Sequence, residues 1–242
     1  MRLSACVLSV LLLSILAGCV RPPEPNPTLQ PIQPVDRWLR GKAYLKQVQG
    51  GLEVQAAFED AGPGAFLFDV VVANRGTAPV LVAPETFQCV LGGMPEGSLA
   101  PREYAAVDPE VMIRQLGRAS AAEQAANANA NAFRGLFLLA DLGDTLASSV
   151  RRSPREQREI RQDSRETARD MDAADRQSDA RLSGLAGQRR HWEEDCVRKT
   201  TLEPGYGLRG QVVFHLDARL AGKVALRIPL GPQTFEFDFR TR

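Results

Sequence analysis

The sequence predicts a mainly β protein, an antiparallel β-sandwich interrupted by a long α-helical insertion between strands. Three observations carry this reading. Apolar and polar residues alternate in two separate blocks, residues 37–103 and 197–242. Breaks such as Gly50-Gly51 and Gly62-Pro63-Gly64 punctuate the first block at strand-length intervals. Between the blocks, residues 104–196 lose the two-residue alternation and become rich in Ala, Arg and acidic residues.

The chain starts with Arg2 and an apolar run from Cys6 to Leu16, followed by small residues. That is the layout of a secretory signal, and the run falls short of the about 20 apolar residues a membrane span needs. Leu16-Ala17-Gly18-Cys19 resembles the lipobox of bacterial lipoproteins. The resemblance implies that residues 1–18 are removed and that lipidation of Cys19 makes it the acylated first residue; an uncleaved N-terminal anchor is the alternative. Several acyl chains at about 0.8 kcal/mol per buried methylene hold a protein essentially permanently. Val20, not Asp, follows the cysteine, which by the same resemblance implies the outer membrane, facing the periplasm. Residues 19–36 then read as a lipidated tether. Pro22, Pro23, Pro25, Pro27, Pro31 and Pro34 favour extended polyproline II, a semi-rigid spacer; Pro31 and Pro34 also fit PxxP recognition spacing.

Composition sets bounds on partners. A net charge of +1 provides no global field to recruit nucleic acid or anionic lipid, and 44% hydrophobic residues suffice for a core. Of the four cysteines, Cys6 leaves with the signal and Cys19 is lipidated. Cys89 and Cys196 remain. An even pair in an oxidising compartment is expected to form a disulfide, with two buried free thiols as the alternative. The expected Cys89–Cys196 bridge lies where the insertion leaves and re-enters the strand blocks.

The first block opens with a strand from Tyr44 to Val48, and Gly50-Gly51 is a two-residue hairpin signal. Leu52, Val54, Ala56 and Phe58 alternate with Glu53, Gln55, Ala57 and Glu59, a half-buried strand. The next segment is apolar on both faces around Phe66, Phe68, Val70 and Val72, as a central strand would be. Asn74-Arg75-Gly76 turns the chain. Phe87, Cys89 and Leu91 share the inward face of the strand that Gly92-Gly93 ends. In the second block Val212, Phe214 and Leu216, then Val224, Leu226 and Ile228, then Phe235, Phe237 and Phe239 mark three strands, the last closing the fold.

The insertion begins at Asp108-Pro109-Glu110, an N-cap followed by Pro at the first helical position. Residues 119–132 mix helix-favouring Ala with Asn. Phe133 to Val150 carries an apolar face suited to packing; a membrane-interface role is the weaker alternative, because the segment lacks a basic polar face. Ser153-Pro154-Arg155-Glu156 is a capping box. From residue 151 to 195 there are 11 Arg and 11 acidic residues, a solvated arm with a thin apolar seam rather than a core helix or a nucleic-acid surface, with disorder in its middle as the alternative. Gly184 and Gly187 are expected to end or interrupt its helix.

The two strand blocks together are about the size of an immunoglobulin-like sandwich. Phe68-Asp69-Val70-Val71-Val72-Ala73-Asn74-Arg75-Gly76-Thr77-Ala78-Pro79-Val80 resembles the strand-Asn-turn block of Ig-like domains in exported bacterial lipoproteins. Leu202-Glu203-Pro204-Gly205 followed by Gly210-Gln211-Val212-Val213-Phe214 resembles it too. The resemblance implies an Ig-like fold with no assigned enzymatic activity.

No catalytic motif emerges. His191 lies in Arg189-Arg190-His191-Trp192-Glu193-Glu194-Asp195-Cys196, but the spacing matches no zinc pattern. His215 and Asp217 lack a nucleophile elbow, and neither a P-loop nor a dinucleotide fingerprint is present. The expectation is therefore a non-catalytic envelope lipoprotein with no cofactor and no metal. It meets the membrane through its anchor, and an envelope protein or a second copy through the helical insertion. The alternative is a hydrolase or small-ligand carrier with a site formed by sandwich loops.

Overall fold

The structure is a computed structural model that describes residues 27–62, 64–92, 101–148, 154–216 and 222–241. The segment read as a signal, the lipobox-like Leu16-Ala17-Gly18-Cys19 and the first part of the segment read as a tether lie outside the described residues. In chain order the strands are β1 (Leu29–Pro31), β2 (Arg37–Leu39), β3 (Lys42–Gln49), β4 (Leu52–Gly62), β5 (Ala65–Asn74), β6 (Val80–Val82), β7 (Gln88–Gly92) and β8 (Arg102–Ala105). Two helices follow, α1 (Pro109–Ser148) and α2 (Pro154–Arg190). A π-helical turn (His191–Asp195) leads back to β9 (Thr200–Leu202), β10 (Gly207–His215), β11 (Lys223–Leu230) and β12 (Gln233–Thr241).

Among the described residues the strands form two five-stranded antiparallel sheets, β1-β12-β11-β7-β8 and β10-β5-β4-β3-β2, with a two-stranded ribbon of β6 and β9. The sheets pack face to face because each has one apolar side to bury. Phe235, Phe237 and Phe239 of β12 meet Phe66 and Phe68 of β5 and Phe214 of β10 in one core, all fully buried. Across the gap, the rings of Phe68 and Phe239 stand 5.4 Å apart. Burying each such side chain is worth roughly 1.5–3 kcal/mol, so this layer dominates the stability of the body.

Local signals act as the sequence predicts. Gly50 and Gly51 take φ of +56° and +78°, the left-handed pair a tight hairpin needs. A Cβ on Gly51 would also lie 2.8 Å from the Cα of Gly76. β5 lies between β10 and β4 as a central strand, and Phe87, Cys89 and Leu91 point inward. Asp108 caps α1: its carboxylate accepts the N–H of Glu110 at 2.8 Å. α2 begins at Pro154, while Ser153 lies outside the described residues.

Elsewhere the structure departs from the sequence reading. The segment read as the end of the tether belongs to the body. Leu29–Pro31 pair with β12, and the Ile32 N–H donates to the Asp238 carbonyl at 2.9 Å. Pro31 is tolerated there because β1 is an edge strand, where a missing donor costs no ladder bond. β8, at the boundary drawn between sandwich and insertion, extends the first sheet through β7. β4 is buried on both faces from Leu52 to Ala57. Glu53 and Gln55 hydrogen bond to each other at 2.7 Å and lie under Lys46 and Arg75. Alternation records polarity, not coverage.

α1 runs unbroken through residues 119–132, and α2 continues through Gly184 and Gly187 to Arg190. Each glycine costs a helix about 1 kcal/mol relative to Ala. Packing offsets that cost here, since Leu185 lies against the base of the arm.

The expected disulfide is absent: Cys89 and Cys196 are both free and buried. Cys89 lies in the core between the sheets, whereas Cys196 belongs to a second cluster with Leu116, Trp192 and Val213. Val213 alternates with the core residues Val212 and Phe214 along β10, so this second cluster is on the outer face of the sheet. The two ends of the insertion do return to the same strand, Val107 bonding to Val213 and Val197 to Gln211 of β10, but the Cys89 side chain faces the core and the Cys196 side chain the outer cluster.

Candidate functional site

The helical arm leaves and rejoins the sandwich on the outer face of the second sheet. On the outgoing limb the Val107 N–H donates to the Val213 carbonyl at 2.8 Å. Glu110 in the first turn of α1 pairs with Arg198 at 2.7 Å. On the returning limb Cys196 forms a bridge to Gln211, and the Val197 N–H donates to the Gln211 carbonyl at 2.9 Å. Gly210 makes this approach possible: a Cβ there would lie 2.7 Å from the Val197 nitrogen. Leu67, Met112, Ile113 and Leu185 complete the apolar seat around Trp192.

The run that includes His191, Asp195 and Cys196 folds into the π-helical turn at this base. His191 Nδ1 lies 3.1 Å from Asp195 Oδ2, and His191 Nε2 lies 3.8 Å from Cys196 Sγ. The contact does not make an activated nucleophile. Burial, with the Asp195 charge adding to it, pushes the Cys196 thiol up to about 12, so the thiolate that attacks is scarce near neutral pH. No group of three or more His, Cys, Asp or Glu among the described residues is placed to hold a metal ion. Asp217, the neighbour read beside His215, lies outside the described residues.

A polar network covers the same outer face beyond the arm. Tyr44 on β3 donates its hydroxyl to Asp69 on β5 at 2.6 Å. Arg209 on β10 grips Asp69 with two nitrogens, at 3.0 and 2.6 Å, and also donates to the Tyr44 oxygen at 2.8 Å. Lys42 joins Asp69 to Glu59, at 3.3 and 2.7 Å. The guanidinium groups of Arg37 and Arg209 lie over the Tyr44 ring, 5.1 and 5.9 Å from its centre. Burial, reinforced by the Asp69 carboxylate, pushes the Tyr44 hydroxyl up to about 12. Burial works against ionising Asp69 too, but Arg209, Tyr44 and Lys42 outweigh it and hold the carboxyl below its ordinary range. Tyr44, Asp69 and Arg209 bond to one another and tie β3, β5 and β10 together, while Glu59 Oε2 at the margin is buried without a hydrogen-bond partner. Sequence reasoning read Tyr44 and Asp69 only as strand positions. The available signal was an acidic residue, Asp69, in the middle of an otherwise apolar run.

Along the arm the two helices meet through a polar seam. Buried Ser178 donates to Glu123 at 2.9 Å and accepts from the Asn127 amide. Arg181 pairs with Glu123 at 3.6 Å, and Arg134 with Asp175. Among the described residues, Gln162 to Asp170 on α2 is exposed throughout. Phe133 is an exception in chemistry, a large apolar side chain left 69% exposed.

Compared with protein families, curated proteins and solved structures, the chain matches none.

The site residues read from the sequence therefore fare differently. Cys19 lies outside the described residues. Cys89 and Cys196 are kept apart. His191 and Cys196 come together, yet in a seat that packs the arm rather than in a cleft. No described helix is long and apolar enough to cross a membrane. Most side chains of the apolar face read over 133–150, from Leu136 onward, lie outside the described residues.

Proposed function

We propose that the protein is a non-catalytic envelope lipoprotein, held at the outer membrane through Cys19, whose Ig-like sandwich presents the helical arm to a protein partner. The observation that carries this reading is the arm itself. Its helices of 40 and 37 residues would each extend about 55–60 Å at 1.5 Å per residue, far beyond what the apolar seat at their base covers. Among the described residues of the arm, Gln162 to Asp170 is exposed throughout and the helices meet through polar contacts, which suits recognition better than packing. The two antiparallel sheets around a common aromatic core support an Ig-like sandwich. The balanced charge of α2 argues against nucleic acid.

The test is crosslinking in cells followed by mass spectrometry, with the wild-type chain and with a chain in which residues 108–190 are replaced by a short linker. Crosslinks from the arm that disappear with the deletion support the reading. Crosslinks to a second copy of the chain identify the partner as self. An unchanged crosslink pattern places recognition on the sandwich and ends the proposal for the arm.

A further inference from the structure

The edge of the sandwich where the chain enters the body carries a second unusual surface. Trp38 on β2 is 70% exposed, and Leu39 next to it and Ile32 after β1 are also exposed. β2 is the outermost strand of its sheet, and β1 the outermost strand of the other. Arg40 and Gly41 form the tight turn between β2 and β3, with φ of +51° and +77°. Arg40 is the one non-glycine residue at positive φ among the described residues. A side chain in that region is disfavoured, so the turn keeps an arginine at its corner at some conformational cost. A cleft of about 330 Å³ runs between Thr28, Trp38, Arg40, Lys42 and Phe58. It places the first described residues of the chain and the hairpin tip on one edge of the body.

We propose that this hairpin tip, with Trp38 and Arg40 at its centre, is a membrane-interface contact that orients the body against the lipid headgroups. Its placement rests on the reading that Cys19 carries the anchor. Cys19 precedes Thr28 by nine residues, and a fully extended chain spans no more than about 30 Å over that distance. The edge holding Trp38 is therefore the part of the body tied closest to the bilayer. Indole is apolar in its rings and polar at its N–H, and it partitions to the headgroup region. An arginine beside it binds phosphate oxygens with its planar fork. A single tryptophan binds a free membrane weakly, but a tether converts the encounter into an intramolecular one at high effective concentration. The chain's near-zero net charge is no obstacle, because this contact needs no long-range attraction.

The experiment reads Trp38 directly. The chain has two tryptophans, and Trp192 is buried at the base of the arm, so a Trp38→Phe variant supplies the background. Mature full-length protein is reconstituted in phosphatidylcholine–phosphatidylglycerol vesicles, with and without lipids brominated at the top of the acyl chain. The expected result is a blue shift of Trp38 emission and quenching by the brominated lipid, both lost in Trp38→Phe and weakened in Arg40→Gly. Acylated, vesicle-bound protein with Trp38 unshifted and unquenched overturns the contact while leaving the anchor intact. If mass spectrometry finds Cys19 unmodified, the same vesicles are titrated with unacylated protein: quenching sustains the contact without the anchor, and no quenching ends it. A blue shift that grows with protein concentration in the absence of lipid assigns Trp38 to a second copy and also overturns it.

Discussion

Cys196 and Val197, neighbours in the chain, point to opposite sides of β10. Cys196 joins the outer cluster with Trp192 and Val213, and Val197 joins the core that contains Cys89. The segment lies alongside β10, held by the Val197 N–H donating to Gln211, so successive side chains alternate across it. A shift of one residue in this limb would turn the Cys196 sulfur toward the core. The two thiols thus face different clusters, Cys89 the core and Cys196 the outer seat.

In unfolded but unreduced protein, the peptides bearing Cys89 and Cys196 should both be alkylated. In the folded protein both should resist, since burial pushes each thiol up to about 12. Peptide mapping after alkylation measures this, and protection of both peptides until reductant is added would reinstate the disulfide.

Replacing glycine should have opposite signs at two places. Gly210→Ala drives a methyl into backbone atoms of Asp195, Cys196 and Val197, at 2.9, 2.8 and 2.7 Å. It should cost about 1–3 kcal/mol as overpacking and speed hydrogen exchange at the Val197 amide. A Cβ on Gly184 meets nothing within 4 Å, so Gly184→Ala in mid-helix should stabilise α2 by up to about 1 kcal/mol. Thermal melts with site-resolved exchange separate the two effects.

Asp69→Ala should destabilise the sandwich by about 2–4 kcal/mol, because it strips Tyr44 and Arg209 of their common acceptor. The loss falls toward the lower figure because the Arg209 side chain is 45% exposed and regains water. Urea titration measures it; a midpoint equal to wild type would show that the network contributes nothing to stability.

Acid should weaken the sandwich through Glu53. Hydrogen bonds from Arg75 and Gln55, with Lys46 assisting against burial, hold its carboxyl at about 2, below an ordinary value of 4.5. A depressed folded-state value means that the stabilisation is complete above about pH 4.5 and drains away as pH falls toward 2. Melts of wild type and Glu53→Gln at several pH values should show the wild-type advantage at pH 6 shrinking through that window. An advantage that stays constant down to pH 2 would refute the assignment.

The sequence by itself determined the mainly β character, the two strand blocks, the Gly50-Gly51 hairpin, the inward face of β12 and the start of α1 at Asp108. Each of these follows from local forces: a two-residue apolar period, a glycine pair free to take positive φ, a carboxylate capping a first turn. Only the tertiary structure decided that Leu29–Pro31 complete a sheet, that Glu53, Asp69 and Tyr44 are buried, that α2 continues past Gly184 and Gly187, and that Cys196 faces away from Cys89. Those outcomes depend on what another part of the chain lays over a residue, and on which side of β10 a returning limb presents it. A residue's polarity and its neighbours in sequence carry no record of either, because burial and facing are set by contacts that form only when distant segments pack.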